Sequence, residues 1–362
     1  MKKQLAALLV ISLFALLPST TLPAAHAANP AKHLSTAAQK SSLASLKDLH
    51  HGLLYSMEYT ADYKLDDCLQ ADAIDISSLI NQMQHSLLKN NTKSPVNTNP
   101  SGGCSAFTAK TETGTLLYGR NFDFKMDMTA VLIRTHPKNG YASIGLADTG
   151  WVGYGIGSLD DGKTDISMAA CMPYLVMDGI NEKGLTISVL KLDGAPTRQN
   201  TGKHKITTTV AIRLVLDRAA TVDEAIALLK QYDMQSAMDN ANFHFLLADA
   251  TGKTVTLEYC ANDMHVLDNT FITNYYVTPS MNGFGHGKDR YEIIEKTLAF
   301  KKNVLTTEEA MSLLSLVSQP ETDESTSMTQ WSALYEPNSL KMTVAIRQDY
   351  TRLFTFYVNK LS

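Results

Sequence analysis

Residues 102–123 of the chain read GGCSAFTAKTETGTLLYGRNFD, and this stretch predicts a β-hairpin. Apolar and polar residues alternate from Cys104 to Lys110, which is typical of a strand with one buried face. Glu112-Thr-Gly114 supplies a turn, and the residues from Thr115 to Gly119 run back along the first strand. Cys104 is therefore expected to open a hairpin.

The residues before Cys104 differ in composition. Lys89–Gly103 consists almost entirely of Asn, Thr, Ser, Pro, Lys and Gly, which predicts an exposed, flexible linker. Residues 28–88 ahead of it are interpreted as a helical prosegment. Leucines at helical spacing predict one helix over Ser41–Met57, and a second is predicted from an N-cap at Asp75 through Leu87.

The N-terminus predicts export. Lys2 and Lys3 precede a short apolar run from Leu5 to Leu17, and Ala25-His-Ala27 is a small-x-small cleavage site. This pattern is typical of a secretory signal peptide over residues 1–27, and an uncleaved membrane anchor is the less favoured alternative. Because no second run of spanning length follows, we expect a secreted or periplasmic protein without a membrane span.

Beyond the hairpin, the pattern predicts layers of strands and helices. Strands are predicted at Ala142–Ala147, Leu185–Leu190, Phe243–Ala248, Thr254–Tyr259, Phe271–Val277, Lys341–Arg347 and Leu353–Val358. Helices are predicted over Thr208–Ala219 and after capping boxes at Thr221 and Thr306. Strands, then helices, then strands again predict an α+β fold with mostly antiparallel sheets, and residues 104–362 are expected to form the catalytic domain.

Charge and motifs argue against several classes of function. The formal net charge of the 362 residues is −4, so a nucleic-acid partner is not expected. Neither His-Glu-x-x-His nor Cys-x-x-Cys occurs, so no metal or cofactor is expected. The four cysteines could form disulfides after export, and the pairing of Cys68, Cys171 and Cys260 stays open.

Cys104 itself has the setting of a nucleophile. Gly102 and Gly103 lack side chains, so the backbone could fold back until the thiol reaches the Gly103 carbonyl carbon. Attack there, followed by hydrolysis of the thioester, would cut the chain after Gly103. An α-amino group has an ordinary pKa of about 7.7–8.0, so the new N-terminus could serve as the general base for its own thiol. Arg120, on the returning strand, would favour the thiolate.

These motifs resemble a known family. Cys104-Ser-Ala-Phe-Thr, followed by Gly119-Arg-Asn-Phe-Asp123, is similar to the N-terminal-nucleophile hydrolases of the choloylglycine hydrolase and penicillin V acylase family. That family of linear amide hydrolases carries an arginine 16 residues and an aspartate 19 residues after its cysteine, which here are Arg120 and Asp123. The chain also resembles isopenicillin N acyltransferase and the acid-ceramidase-like enzymes.

Three further stretches carry the resemblance over nearly all of residues 104–362. Asn181-Glu-Lys-Gly-Leu185 matches a turn of the family, Ile272-Thr-Asn274 matches the segment of its oxyanion-hole asparagine, and Arg290 matches its last active-site arginine. Bile-salt hydrolases place a second asparagine ten residues after the turn asparagine, and that position is Lys191 here. If the side chain at this position contacts the substrate, the specificity differs.

The resemblance implies a four-layer αββα sandwich and a role for each matched residue. Cys104 would attack the substrate carbonyl, Asp123 would hold the α-amino group, and Arg120 would bias the thiol toward thiolate. Asn274 would donate a hydrogen bond to the oxyanion, and Arg290 would support the site electrostatically.

The resemblance also implies a substrate class. The substrate would be a linear amide of an apolar acyl group, such as a conjugated bile salt or penicillin V. Acyl-homoserine lactones, N-acyl amino acids and acyl transfer are the alternatives. The cleaved prosegment could remain bound as a small subunit, and a homo-oligomer is left open.

Other interpretations of the same residues remain. A papain-like protease would pair Cys104 with His244, 140 residues later, and use Asn274 to orient it. A secreted binding protein would leave Cys104 inert. Taken singly, Arg120 and Asp123 could form a surface ion pair, Asn274 could be a turn residue, and Arg290 a charge on a helix surface.

Overall fold

Two large sheets carry the fold. The computed structural model describes residues 29–88, 102–124, 127–260, 262–320 and 328–359. The predicted signal peptide and most of the predicted linker, residues 89–101, lie outside the described residues. Within the described ranges, no helix combines the length and the apolar character that a membrane crossing requires.

The larger sheet has nine strands in the described part of the chain, and strands are numbered here in chain order. In spatial order they are β1 Lys47–Asp48, β2 Leu54–Tyr59, β5 Ala130–Thr135, β6 Ser143–Asp148, β7 Val176–Asn181, β8 Thr186–Leu192, β11 Asn242–Ala248, β12 Thr254–Cys260 and β13 Asp263–Leu267. All neighbours run antiparallel except β2 and β5, which are parallel.

The smaller sheet is built around the predicted hairpin. Its six strands are β14 Phe271–Ile272, β3 Gly102–Lys110, β4 Leu116–Phe124, β17 Met328–Glu336, β18 Lys341–Ile346 and β19 Leu353–Tyr357. Two short pairs complete the strands: β9 Lys205–Thr207 with β10 Asp233–Gln235, and β15 Asn274–Tyr275 with β16 Gly285–His286. In the hairpin, Cys104 lies opposite Phe122 and Ala106 lies opposite Arg120.

Helices cover the outer faces of both sheets. They are α1 Ala37–Ala44, α2 Leu65–Leu69, α3 Ile76–Leu87, α4 Thr208–Arg218, α5 Val222–Leu229, α6 Lys288–Phe300 and α7 Thr307–Leu316. The α4 helix packs on β7 and β8, whereas α6 and α7 pack on β3, β4 and β17. Because β3 also contacts β8, the two sheets face each other between the helical layers. The predicted α+β fold with mostly antiparallel sheets is confirmed.

The prosegment is only partly helical. The predicted helix over Ser41–Met57 is wrong, because α1 ends at Ala44 and the chain continues into β1 and β2. The Asp48 carboxylate accepts hydrogen bonds from the backbone of His50 and Gly52, and these stabilise the turn between β1 and β2. The predicted N-cap at Asp75 is confirmed, since its side chain accepts from the Ser78 amide at 2.6 Å.

Two strand boundaries also differ from prediction. Gly102 and Gly103, predicted to end a flexible linker, are buried in β3, where they pair with Phe124 and Asp123. The predicted strand Phe271–Val277 breaks into β14 and β15, because the chain leaves the edge of β3 at Thr273 and pairs with β16 instead. The other predicted strands and helices are confirmed to within a few residues. The elements that were not predicted include β2, β5, β7, β17 and α6.

Candidate active site

Both backbone polar groups of Cys104 form hydrogen bonds with side chains. Cys104 lies in β3 and is 3% exposed. Its N–H donates to Oδ1 of Asn274 at 2.7 Å, and its carbonyl oxygen accepts from Nη1 of Arg290 at 2.6 Å. Two of the predicted site residues, 170 and 186 positions away along the chain, therefore contact the same residue.

Asn274 connects three segments of the chain. Its Oδ1 accepts from Cys104 and also from Nη2 of Arg290 at 2.8 Å, while its Nδ2 donates to the Lys191 carbonyl at 2.8 Å. Since both partners of Oδ1 are donors, the orientation of the amide is set by the network. Among the residues that the structure describes, Lys191 is the one acceptor of Nδ2, so a second hydrogen is available there. The donation to an oxyanion remains a prediction.

Arg290 reaches this network from the first turn of α6. Gly287, directly before the helix, has a φ of +79°, and a Cβ atom there would lie 2.5 Å from Nη2 of Arg290. A glycine is thus required for the guanidinium to fold back toward Asn274 and Cys104. Arg290 is 6% exposed, so the interpretation as a helix-surface charge is wrong.

Asp123 lies opposite Gly103 at the end of β4. Its carboxylate accepts from Oγ1 of Thr329 at 2.6 Å, from Nε2 of Gln319 at 2.7 Å and, more weakly, from Nη1 of Arg290 at 3.4 Å. In the intact chain the N–H of Cys104 faces Asn274 and not Asp123. The role of Asp123 toward a free α-amino group therefore stays a prediction.

Arg120 is fully buried beneath Cys104. Nη1 and Nη2 donate to the carbonyl oxygens of Asn121 and Val189, each at 2.6 Å, and Nε lies 3.6 Å from Oδ2 of Asp178. Burial acts to lower the pKa of the guanidinium, but the neighbouring Cys104 and Asp178 raise it above its ordinary value. The Arg120 guanidinium thus lies next to the Cys104 thiol, and its predicted role toward that thiol stays a prediction.

The partners of these buried groups were not predicted from the sequence. The carboxylate of Asp178 accepts from Nε1 of Trp331 at 2.9 Å and from the Tyr335 hydroxyl, and it faces Arg120. A single carboxylate within the apolar run 175–180, LVMDGI, was the available signal. Arg120 and Asp123 are both fully buried and contact different partners, so the interpretation as a surface ion pair is wrong.

A small cavity adjoins Cys104. Its volume is about 30 Å³, room for roughly one or two water molecules. The walls are mostly apolar and include the rings of Phe122, Phe124, Trp151 and Phe243. Gly102, Asp123 and the half-buried Lys191 also line it, together with Met177, Val189 and Met238.

Comparison with known proteins identifies the family. A family model described as linear amide C-N hydrolases, choloylglycine hydrolase family, matches residues 104–278. The matched region belongs to the choloylglycine hydrolase family. The protein is a hydrolase of linear amide C–N bonds. No curated protein sequence matches it.

Solved structures show the fold of this family member. A mutant conjugated bile acid hydrolase from Clostridium perfringens superposes with a TM-score of 0.52 at 17% identity, covering 72% of this chain and 93% of that one. Penicillin V acylase from Agrobacterium tumefaciens superposes with a TM-score of 0.52 at 19% identity, covering 71% and 87%. The predicted N-terminal-nucleophile hydrolase fold is thereby confirmed.

His244 does not serve Cys104. It lies opposite Glu258 in adjacent strands, and both side chains are fully buried. Its Nδ1 is 3.1 Å from Oε1 of Glu258, and its Nε2 is 2.8 Å from the Thr273 carbonyl oxygen. With both ring nitrogens engaged, His244 cannot be the base of a papain-like pair, and that interpretation is wrong.

Glu258 should make stability depend on acid pH. Burial acts to raise the pKa of Glu258, but His244 and the N–H groups of Val277 and Thr278 lower it to about 2, below its usual 4.5. A lowered pKa in the folded state stabilises the protein above pH 4.5, and the stabilisation is lost as pH falls toward 2. The loss amounts to roughly 3 kcal/mol.

Urea unfolding between pH 7 and pH 2.5 measures this effect. The free energy of unfolding of Glu258→Gln should fall less steeply below pH 4.5 than that of the wild type. Glu112→Gln, at an exposed position, is the control and should follow the wild-type slope. Equal slopes for wild type and Glu258→Gln would contradict the assignment.

Proposed function

We propose that this family member is an exported amide hydrolase whose nucleophile is the thiol of Cys104, freed as an N-terminal residue by cleavage after Gly103. The observation that supports the proposal is a pair of hydrogen bonds to the Cys104 backbone, one from its N–H to Asn274 and one from Arg290 to its carbonyl oxygen. Arg120 adds a buried positive charge beside the thiol. Among the four cysteines, all free and buried, Cys104 has this environment.

The maturation step uses the same thiol. Sγ of Cys104 adds to the Gly103 carbonyl carbon, a C–S bond forms, and the C–N bond breaks. The thiol proton ends on the released nitrogen of Cys104. Water then hydrolyses the thioester, leaving a carboxylate on Gly103 and a free α-amino group on Cys104. Since Gly103 is paired with Asp123 in the sheet, the strand must open locally for this attack.

The cavity supports an order of events in which cleavage comes first. Ligand pockets usually measure several hundred Å³, far more than the cavity of about 30 Å³ beside Cys104. Gly102 forms part of its wall, directly upstream of the proposed cut. Once the bond after Gly103 is broken, Gly102 can move away, which enlarges the cavity next to the thiol.

The same groups would then hydrolyse the substrate. The Cys104 thiolate adds to the scissile carbonyl carbon, and the electron pair moves onto the carbonyl oxygen. The remaining N–H of the Asn274 amide donates to that oxygen. Collapse expels the amine, which takes a proton from the α-ammonium group, and water hydrolyses the acyl thioester.

Mass spectrometry and N-terminal sequencing test the nucleophile. The purified large fragment should begin at Cys104. Cys104→Ala should remain uncut, and its hydrolytic rate should fall by more than about 10³-fold because the covalent step is lost. Cys260→Ala is the matched control and should be cut and active. A large fragment starting elsewhere, or activity in Cys104→Ala, would contradict the proposal.

The prosegment is built into the larger sheet, which supports its retention after cleavage. All six residues of β2 pair with β5, from Leu54 beside Ala130 to Tyr59 beside Thr135. Tyr59 donates its hydroxyl to the Ala170 carbonyl at 2.7 Å, and Glu58 pairs with Arg134 at 3.0 Å. Losing this strand would expose an apolar sheet edge, so we propose that the two fragments stay together.

Native and denaturing separations test retention. Two fragments, residues 28–103 and 104–362, should co-elute in size exclusion as one particle and separate only in denaturant. The first residue of the small fragment, Ala28, would also report removal of the signal peptide and hence export. Met57→Asp, which places a charge at a position 1% exposed, should release the small fragment, whereas Lys47→Asp, on the exposed β1, should not. Separate elution of the wild-type fragments would contradict the proposal.

The residues that line the cavity also indicate which class of substrate it accepts. Aromatic and aliphatic walls suit an apolar acyl group. The structural neighbours include a conjugated bile acid hydrolase and a penicillin V acylase. Lys191 is the basic side chain of this lining, and its ammonium group has no hydrogen-bond or ion-pair partner among the described residues. We propose that it pairs with an acidic group on the amine part of the substrate.

A matched substrate pair tests Lys191. N-phenoxyacetylglycine should be hydrolysed with a kcat/KM about 10-fold above that of its neutral glycinamide, the effect of roughly one partly exposed charge pair. Lys191→Met should abolish this preference, and Lys183→Met, which lies outside the cavity, should keep it. Equal rates for both substrates with the wild type would rule out the role of Lys191. The proposal that Cys104 is the nucleophile would be unaffected.

A further inference from the structure

A buried histidine–glutamate pair lies behind Asn274. The His244 ring and the Glu258 carboxylate contact the segment Thr273–Thr278 at three backbone groups. His244 donates to the carbonyl of Thr273, and Glu258 accepts from the amides of Val277 and Thr278, each at 2.8 Å. This segment contains Asn274 and has left the edge of β3, so it has few sheet hydrogen bonds of its own.

The acceptors fix one part of this arrangement. Nε2 of His244 faces a carbonyl oxygen, which can only accept, so Nε2 is the donor. Nδ1 lies 3.1 Å from Oε1 of Glu258, an oxygen that also accepts from the Val277 amide. Both side chains are fully buried.

We infer that His244 and Glu258 are positioning residues that hold the Asn274 side chain in register with Cys104. The connection is short: His244 fixes the peptide carbonyl directly before Asn274, and Asn274 contacts the Cys104 N–H through Oδ1. Thr273 also donates its hydroxyl to the Gly287 carbonyl at 3.0 Å, which ties the same point to the start of α6 and hence to Arg290. The inference rests on the proposed role of Asn274 in binding the oxyanion.

A double-mutant cycle tests the link to Asn274. His244→Gln should lower kcat on N-phenoxyacetylglycine by at least 10-fold with KM within about three-fold, because a displaced oxyanion donor costs transition-state binding. In the Asn274→Ala background, the same change should have no further effect on kcat. Glu258→Gln should lie between wild type and His244→Gln, since His244 can still donate from Nε2 to the Thr273 carbonyl.

A second buried ion pair supplies the control for stability. Arg213 and Asp217, in α4, form a contact at 2.6 Å and are 1% and 3% exposed. Asp217→Asn should lower the melting temperature as much as Glu258→Gln does and leave kcat unchanged. An equal fall of kcat in both variants, or additive effects of His244→Gln and Asn274→Ala, would overturn the inference.

Crystal structures of His244→Gln and Glu258→Gln provide a readout that does not need activity. Oδ1 of Asn274 should move out of hydrogen-bond distance of the Cys104 nitrogen in His244→Gln. If Asn274 keeps its place in both variants, the positioning role is wrong, whatever their rates of hydrolysis. If the wild type hydrolyses no linear amide, the proposed function fails, and these structures still decide the positioning role.

Discussion

The amide oxygen of Asn274 is the point on which the site depends. It accepts from the Cys104 backbone and from the Arg290 guanidinium at once, which joins the smaller sheet, the segment after β14 and the first turn of α6. A side-chain amide can do this only in one orientation, because its nitrogen must face an acceptor, here the carbonyl of Lys191. The position of Cys104 relative to the larger sheet follows from these contacts.

Three buried pairs of acidic and basic side chains surround Asn274. Arg120 faces Asp178 between the two sheets, Arg290 approaches Asp123, and His244 pairs with Glu258. Each charge loses hydration on burial, and hydrogen bonds to backbone groups recover part of that cost. Removing one partner of such a pair typically costs about 3–5 kcal/mol, because it leaves an uncompensated charge in the interior. Geometry at Cys104 is therefore coupled to the folding of both sheets.

The residues ahead of Cys104 belong to the same architecture. β2 extends the larger sheet, and Gly102 and Gly103 extend β3 by two residues. A predicted flexible linker thus ends in two paired, buried glycines. The peptide bond between Gly103 and Cys104, which we propose is cleaved, lies inside a sheet and is shielded from water.

Local patterns in the chain predicted most of the catalytic layer. The alternation around Cys104, the turn at Gly114 and the spacing to Arg120 and Asp123 identified the hairpin, since strand period and turn chemistry are local properties. The motif around Asn274 and Arg290 identified the remaining site residues through resemblance to a family. The helix predicted over Ser41–Met57 failed, because β2 is a strand only by virtue of its pairing with β5, more than 70 residues away.

Contacts between distant segments were decided by the tertiary structure alone. Asp178 beneath Arg120, Gln319 and Thr329 around Asp123, and Glu258 behind Asn274 are carried by strands and loops with no common sequence spacing. Which carboxylate meets which cation depends on how the two sheets stack, and a single chain does not encode that stacking in any local period. The residue types of the site could thus be predicted from the amino-acid order, whereas the partner of each buried charge required the packed layers.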